Sequence, residues 1–253
     1  MSVCKYCNQE KPLCKAHIIP QAFYKQIWSD NRHPLLCKIK LGSPKQKMSS
    51  IGLYDSNILC SDCDGKFGKF DEEGINFFRN INFDLYKHNI SSEYFYKVPN
   101  SEYNYLKLKK FFISVIYRAS ISKLPEFSSV NLGDKFEAEV VNFLKNDNDN
   151  EHFSILLQKR SSVTEIPVDK IILTPGRFRL QAINAYDVHL SGLRAIIKVD
   201  SRPFPTLFRT FELNSLYAFI FHSILEETND YQFFTQYVQE QSFYLRSEFM
   251  PIL

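Results

Sequence analysis

The stretch Ser56–Asn80, "SNILCSDCDGKFGKFDEEGINFFRN", decides how this chain is read. It looks like the end of a strand entering a helix, with Cys60 and Cys63 at the first helical turn. Asp64 and Asp71 stand seven residues apart, so they share one helix face, and Gly68 between them leaves that face open. Gly65, Gly68 and Gly74 weaken the helix expectation, since each costs about 1 kcal/mol relative to Ala in a helix interior.

The pair "CSDC" has a counterpart at Cys4–Cys7, "CKYC". Two-residue spacing lets both sulfurs of a knuckle point at one ion, and two knuckles complete a tetrahedral site. Disulfides compete with this reading, but a chain with no apolar segment before Cys4 reads as lacking a signal peptide. A cytoplasmic setting, the expectation for such a chain, keeps thiols reduced. Thioredoxin-like chemistry would call for a single motif in a βαβ unit, not two motifs. The spacing therefore predicts a structural Zn2+ held by Cys4, Cys7, Cys60 and Cys63, leaving Cys14 and Cys37 as small buried hydrophobes. Energetics agree: polar stretches such as "GSPKQKMSS" limit the early core. Structural zinc contributes on the order of 10–16 kcal/mol in small peptides, against about 3–5 for a core of this size.

Composition bounds the rest. The 253 residues are 44% hydrophobic and 23% charged, ordinary globular chemistry, with room for one large domain or two small ones. The longest apolar run, Leu216–Leu225, contains His222 and is about half of a roughly 20-residue membrane span, so no membrane association is expected. The first 70 residues carry eleven Lys/Arg against five Asp/Glu, a formal +6, and the remainder 20 against 23, a formal −3. Four thiolates around one divalent ion would lower the first figure to +4, still suited to a polyanionic partner.

Between the knuckles, "KPLCKAHIIP" alternates Leu13, Lys15, His17 and Ile19 as a short strand that Pro20 ends. "QAFYKQIW" follows as a short amphipathic helix, and residues 29–56 read as a polar insertion loop in which Asp30 and His33 are loop residues. His17 is either a core histidine with a backbone partner or a base held at a cleft, and the ten residues around it leave both open.

The order of knuckle, histidine strand, connection, and knuckle at a helix bearing acids resembles the zinc-stabilised HNH endonucleases of the ββα-metal or treble-clef type. Cys4, Cys7, "AHIIP" around His17, Asn57, Cys60, Cys63 and "DGKFGKFDEE" carry the resemblance, more narrowly to a bacterial subgroup with a "HIIP" strand before C-x-x-C-[DE]. The likeness continues through "YLKLKKFFISVIYRASISKLPEFSSVNLG". It implies that His17 is the general base activating water against a DNA phosphodiester. It implies further that Asn57 holds the base loop and that Asp64 and Asp71 bear a catalytic Mg2+ or Mn2+. Lys11, Lys15, Lys45, Lys47, Lys66 and Lys69 become candidates for gripping the DNA backbone, through contacts that weaken with salt. A setting in antiphage or mobile-element defence is part of the same resemblance. One departure stands out: the residue before the base, commonly a metal-binding Asp or His in the family, is Ala16. The rival expectation is a catalytically inactive zinc module that binds nucleic acid or a protein.

Beyond the module, residues 81–100 read as helix tail and linker, and 101–253 as an α+β body with no catalytic motif of its own, open to a protein partner or regulatory ligand. Residues 103–120 predict an amphipathic helix with Lys107, Lys109 and Lys110 displaced from the apolar stripe and Arg118 solvated or salt-bridged. "LGDKFEAEVVNFLKN" predicts a second helix capped near Asp134. "FSILLQKR", "KIILTPGRFRL" and "LRAIIKV" predict strands, with turns at "TPG" and "LSG". "LYAFIFHSILEE" and "DYQFFTQYVQEQSF" are read as closing helices, and His189 and His222 as satisfied or surface histidines. The fold class is α+β: a zinc-bound treble-clef or ββα module over 1–80, a linker over 81–100, and a mixed body over 101–253.

Overall fold

The structure, a computed structural model, describes residues 2–26, 35–37, 47–49, 51–90, 93–164 and 166–236. Strands β1 (Ser2–Val3) and β2 (Glu10–Lys11) pair antiparallel around the first knuckle, where Asn8 takes a left-handed turn at φ 57°. β3 (Ala16–His17) leads through Pro20 into α1 (Gln21–Gln26). The expected insertion loop contains a hairpin, β4 (Leu35–Cys37) on β5 (Lys47–Ser49), and then β6 (Tyr54–Asp55), which pairs antiparallel with β3. Asp30, His33 and Lys45 lie outside the described residues, as do the side chains of Cys37 and Lys47. Helix α2 (Ser61–Asn80) starts at Cys60 and runs unbroken through its three glycines.

Gly74 explains one of them. A Cβ there would sit 2.5 Å from ring atoms of Phe111, so only glycine lets α2 press against the next helix. That helix, α3 (Tyr105–Ile121), is capped by Asn104, whose Oδ1 accepts from the Lys107 N–H at 3.0 Å; Glu73 of α2 in turn accepts from the Asn104 N–H at 2.6 Å. The amphipathic expectation fails for α3. Every residue from Leu108 to Ala119 is buried, because the helix is packed by α2, by α4 (Gly133–Lys145) and by the main sheet. Lys109 and Lys110 survive burial by pairing with Asp149 and Asp147 of the loop after α4. α4 begins one residue before the expected cap, with Asn131 Oδ1 accepting from the Gly133 N–H at 2.9 Å; Asp134 lies inside the first turn, where it complements the helix dipole.

The segment read as a linker is sheet. β7 (Lys87–Ile90) and β8 (Glu93–Pro99) join β9 (Phe153–Ser161), β10 (Ile172–Leu180), β11 (Ile183–Leu190), β12 (Leu193–Val199) and β13 (Tyr217–Ile224) in the order β10-β11-β12-β9-β13-β8-β7. All pairs are antiparallel except β13 with β9. β13 replaces an expected helix. A short apolar run does not fix its own period, and here Ala218 and Ile220 are buried while Phe219 and Phe221 are half-buried, the two-residue alternation of a strand. "TPG" is no turn either: it lies in edge strand β10 at a register shift between Leu173 and Gly176, where the missing N–H of Pro175 is tolerated. "LSG" does turn, with Ser191 and Gly192 both at positive φ. Residues 231–236 are helical, and 237–243 of the second expected closing helix lie outside the described residues. Among the described residues no helix is long and apolar enough to cross a membrane. One core cluster runs from Cys4 through α3 to Ile220, so packing is not interrupted at 81–100.

Candidate metal centre and the histidine face

The four cysteines meet. The sulfurs of Cys4, Cys7, Cys60 and Cys63 all lie within 4.8 Å of one another, close enough to share one ion. Cys60 reaches the first knuckle through its own N–H, which donates to Cys4 Sγ at 3.4 Å. The isolated bridge between Leu13 and Cys60 and the Cys14 N–H donated to Leu59 O at 2.9 Å lock the strand end beside it. Burial by itself would raise the Cys4 thiol, but N–H groups of Cys7, Cys60 and Tyr6 aimed at its sulfur bring it down to about 6. Burial, and then the sulfurs of Cys60, Cys7 and Cys4, push Cys63 strongly up. Four clustered sulfurs cannot all ionise alone; a divalent cation among them removes that conflict, so the donor set fits zinc.

β3 and α2 bring His17, Asp64 and Asp71 to one region. In β3 neighbouring side chains point to opposite faces: Ala16 is fully buried opposite Asp55, and His17 is half-buried opposite Tyr54, with ring centroids 5.8 Å apart. His17 Nε2 lies 3.1 Å from Ile51 O. A carbonyl only accepts, so Nε2 carries the proton and the Nδ1 lone pair is left without a hydrogen bond to any described residue. Burial, helped by the Arg118 charge, lowers the His17 pKa against the opposing pull of Ile51 O, Asp64 and Asp71. The Ile51 carbonyl holds the ring. The Asn57 side chain is exposed and makes no hydrogen bond with a described residue; its N–H donates to Asp55 Oδ1 at 2.8 Å.

The two acids differ. Asp64 is half-buried and makes no hydrogen bond with a described residue. Burial raises its pKa, with Arg118 opposing. A Cβ at Gly68, one turn on, would meet nothing within 4 Å, so the face is open there. Asp71 is instead gripped by Arg118, with contacts of 2.9 and 2.6 Å to its two oxygens. Arg118, expected to be solvated or salt-bridged, is salt-bridged; what sequence reasoning missed is that its partner is Asp71 and that it is buried, because nothing local to α3 names either. Asp55 is a neighbour that it missed outright. It is buried and accepts from Ser122 Oγ at 2.8 Å, tying β6 to the end of α3.

Of the candidate DNA-gripping lysines, Lys66 and Lys69 are exposed on α2 and Lys15 is exposed with its Nζ 5.3 Å above the Tyr54 ring. Lys11 is paired with Asp62 at 2.8 Å. Outside the site, His189 pairs with Asp187 at 3.2 Å, and His222 accepts from or donates to Ser161 Oγ at 2.8 Å.

No protein-family model, curated protein or solved structure matches this chain.

Proposed function

We propose that the chain is a zinc-stabilised, metal-dependent endonuclease of the HNH type, with a treble-clef module hydrolysing phosphodiester bonds in DNA. The observation that carries the reading is His17: its ring is anchored through Nε2 and, among the described residues, its Nδ1 has no hydrogen-bond partner, beside a helix whose Asp64 makes no hydrogen bond with a described residue and whose start is fixed by four clustered cysteines. Nδ1 takes the proton of a water as its oxygen attacks phosphorus, and the bond to the leaving oxygen breaks in line. A neutral imidazole is required, and burial favours it. A Mg2+ or Mn2+ ion at the helix acids would supply stabilisation of the charge developing on the leaving oxygen. Lys15, Lys66 and Lys69, which are exposed, would hold the phosphate backbone.

A non-catalytic zinc module is the second reading. It is favoured by Ala16, sealed in the core where the resemblance expects a ligand, and by the Arg118 grip on Asp71. Supercoiled plasmid incubated with Mg2+ or Mn2+, with and without EDTA, separates the two. Cleavage that EDTA and His17→Ala both abolish is the expected result. Cleavage unchanged in His17→Ala overturns His17 as the base and the reading with it; none with either metal assigns the chain to the non-catalytic class.

A further inference from the structure

Arg118 is charged and yet only 1% exposed. A guanidinium has five N–H donors in a rigid fork, and here all five are used. Nε donates to Ser114 O at 3.3 Å, Nη1 to His17 O at 3.0 Å and Asp71 Oδ2 at 2.9 Å, and Nη2 to Asp71 Oδ1 at 2.6 Å and Ser114 Oγ at 3.3 Å. One side chain thus joins α3, the α2 acid and the backbone carbonyl of the histidine itself.

We propose that Arg118 and Asp71 are a positioning pair for the base: Asp71 serves as the counter-ion that aims Arg118 at the His17 carbonyl, and Asp64, not Asp71, offers the carboxylate for a divalent ion. The inference rests on the nuclease reading above and divides the two acids that the sequence treats alike. Both Asp71 oxygens accept from one guanidinium, whose positive charge repels a second cation from the same carboxylate. Asp64 has no such partner among the described residues and stands beside the open face at Gly68. A buried ion pair of this kind is weak as a source of stability and strong as a geometric constraint when every hydrogen bond is made. The carbonyl it fixes belongs to the residue whose ring must be aimed, so a small displacement there moves Nδ1.

The test measures Mn2+ binding by electron paramagnetic resonance and plasmid cleavage kinetics on the full chain, with thermal melts to establish that each variant is folded. Asp71→Asn alone would strand a buried guanidinium, so the pair is removed together as Asp71→Leu with Arg118→Met, beside Asp64→Asn and Arg118→Lys. The paired variant is expected to bind Mn2+ as the wild type does, whereas Asp64→Asn loses roughly tenfold or more in affinity. Arg118→Lys keeps the charge but not the fork; well below its melting temperature, kcat is expected to fall on the order of 100-fold with KM little changed. Two results would overturn the pairing alone: Mn2+ affinity falling as far in the paired variant as in Asp64→Asn, or a folded Arg118→Lys that cuts at the wild-type rate. A wild type that neither binds Mn2+ nor cuts overturns the nuclease reading, and this pairing with it.

Discussion

At the scale of single residues, chemistry here depends on what each side chain has been denied. Cys63 is denied solvent and crowded by three other sulfurs, so a metal ion is what makes the cluster favourable. Cys60→Ala should therefore drop bound zinc from one equivalent to none by elemental analysis and lower the melting temperature sharply. Retention of one equivalent of zinc would disprove the four-sulfur site. His17 is half-buried, which leaves Nδ1 within reach of water, and partial burial sets its pKa below the ordinary 6.5. The sign follows from burial opposing the charged form: the proton-accepting neutral ring persists below pH 6.5 and is lost only as pH falls through the depressed value. A cleavage rate whose decline on acidification is centred below pH 6.5 is expected; a decline centred above 6.5 would contradict the assignment. The zinc cysteines were legible from spacing alone, because a C-x-x-C knuckle is a local device. The partners of Arg118 were not, because its acceptors come from residues up to 101 positions away.

Among elements, α2 is the one that joins metal, acids and core, and its glycines are not equivalent. A Cβ at Gly74 would fall 2.5 Å from the Phe111 ring, whereas one at Gly68 would meet nothing within 4 Å. Gly74→Ala should cost about 1–3 kcal/mol through overpacking, while Gly68→Ala should stabilise the helix by up to about 1 kcal/mol. Denaturant melts of the two variants check the opposite signs; the same sign for both would mean the α2–α3 contact is wrongly described. α3 and β13 show how an element misleads. The stripe of α3 was visible, but its lysines sat where an exposed face would, and only the acidic loop beyond α4 reveals why they are buried. β13 carries an apolar run that suits either period, and the choice was made by β8 and β9 offering a free edge on each side.

For the whole molecule, the consequence of a shared core is cooperativity. Tyr117 of α3 donates its hydroxyl to Lys5 O at 3.0 Å, and one apolar cluster links the knuckles to the sheet. The zinc-loaded chain should melt as a single calorimetric transition whose van't Hoff and calorimetric enthalpies agree. Chelating the metal should lower that transition for both halves together. Two separated endotherms, one responding to chelator and one not, would show that the module and the body fold independently.

What the sequence determined by itself was set by short-range geometry: two knuckles, a histidine strand closed by proline, acids two helical turns apart, and an α+β composition. Tertiary structure decided the rest. It made the expected linker into two strands, buried α3 on all sides, set the Ile51 carbonyl against the imidazole, and separated Asp71 from Asp64 by supplying one of them with an arginine. The reason is physical: sulfur spacing and helix periodicity act within a few residues, whereas burial and counter-ions come from whatever the chain brings back from far along its length.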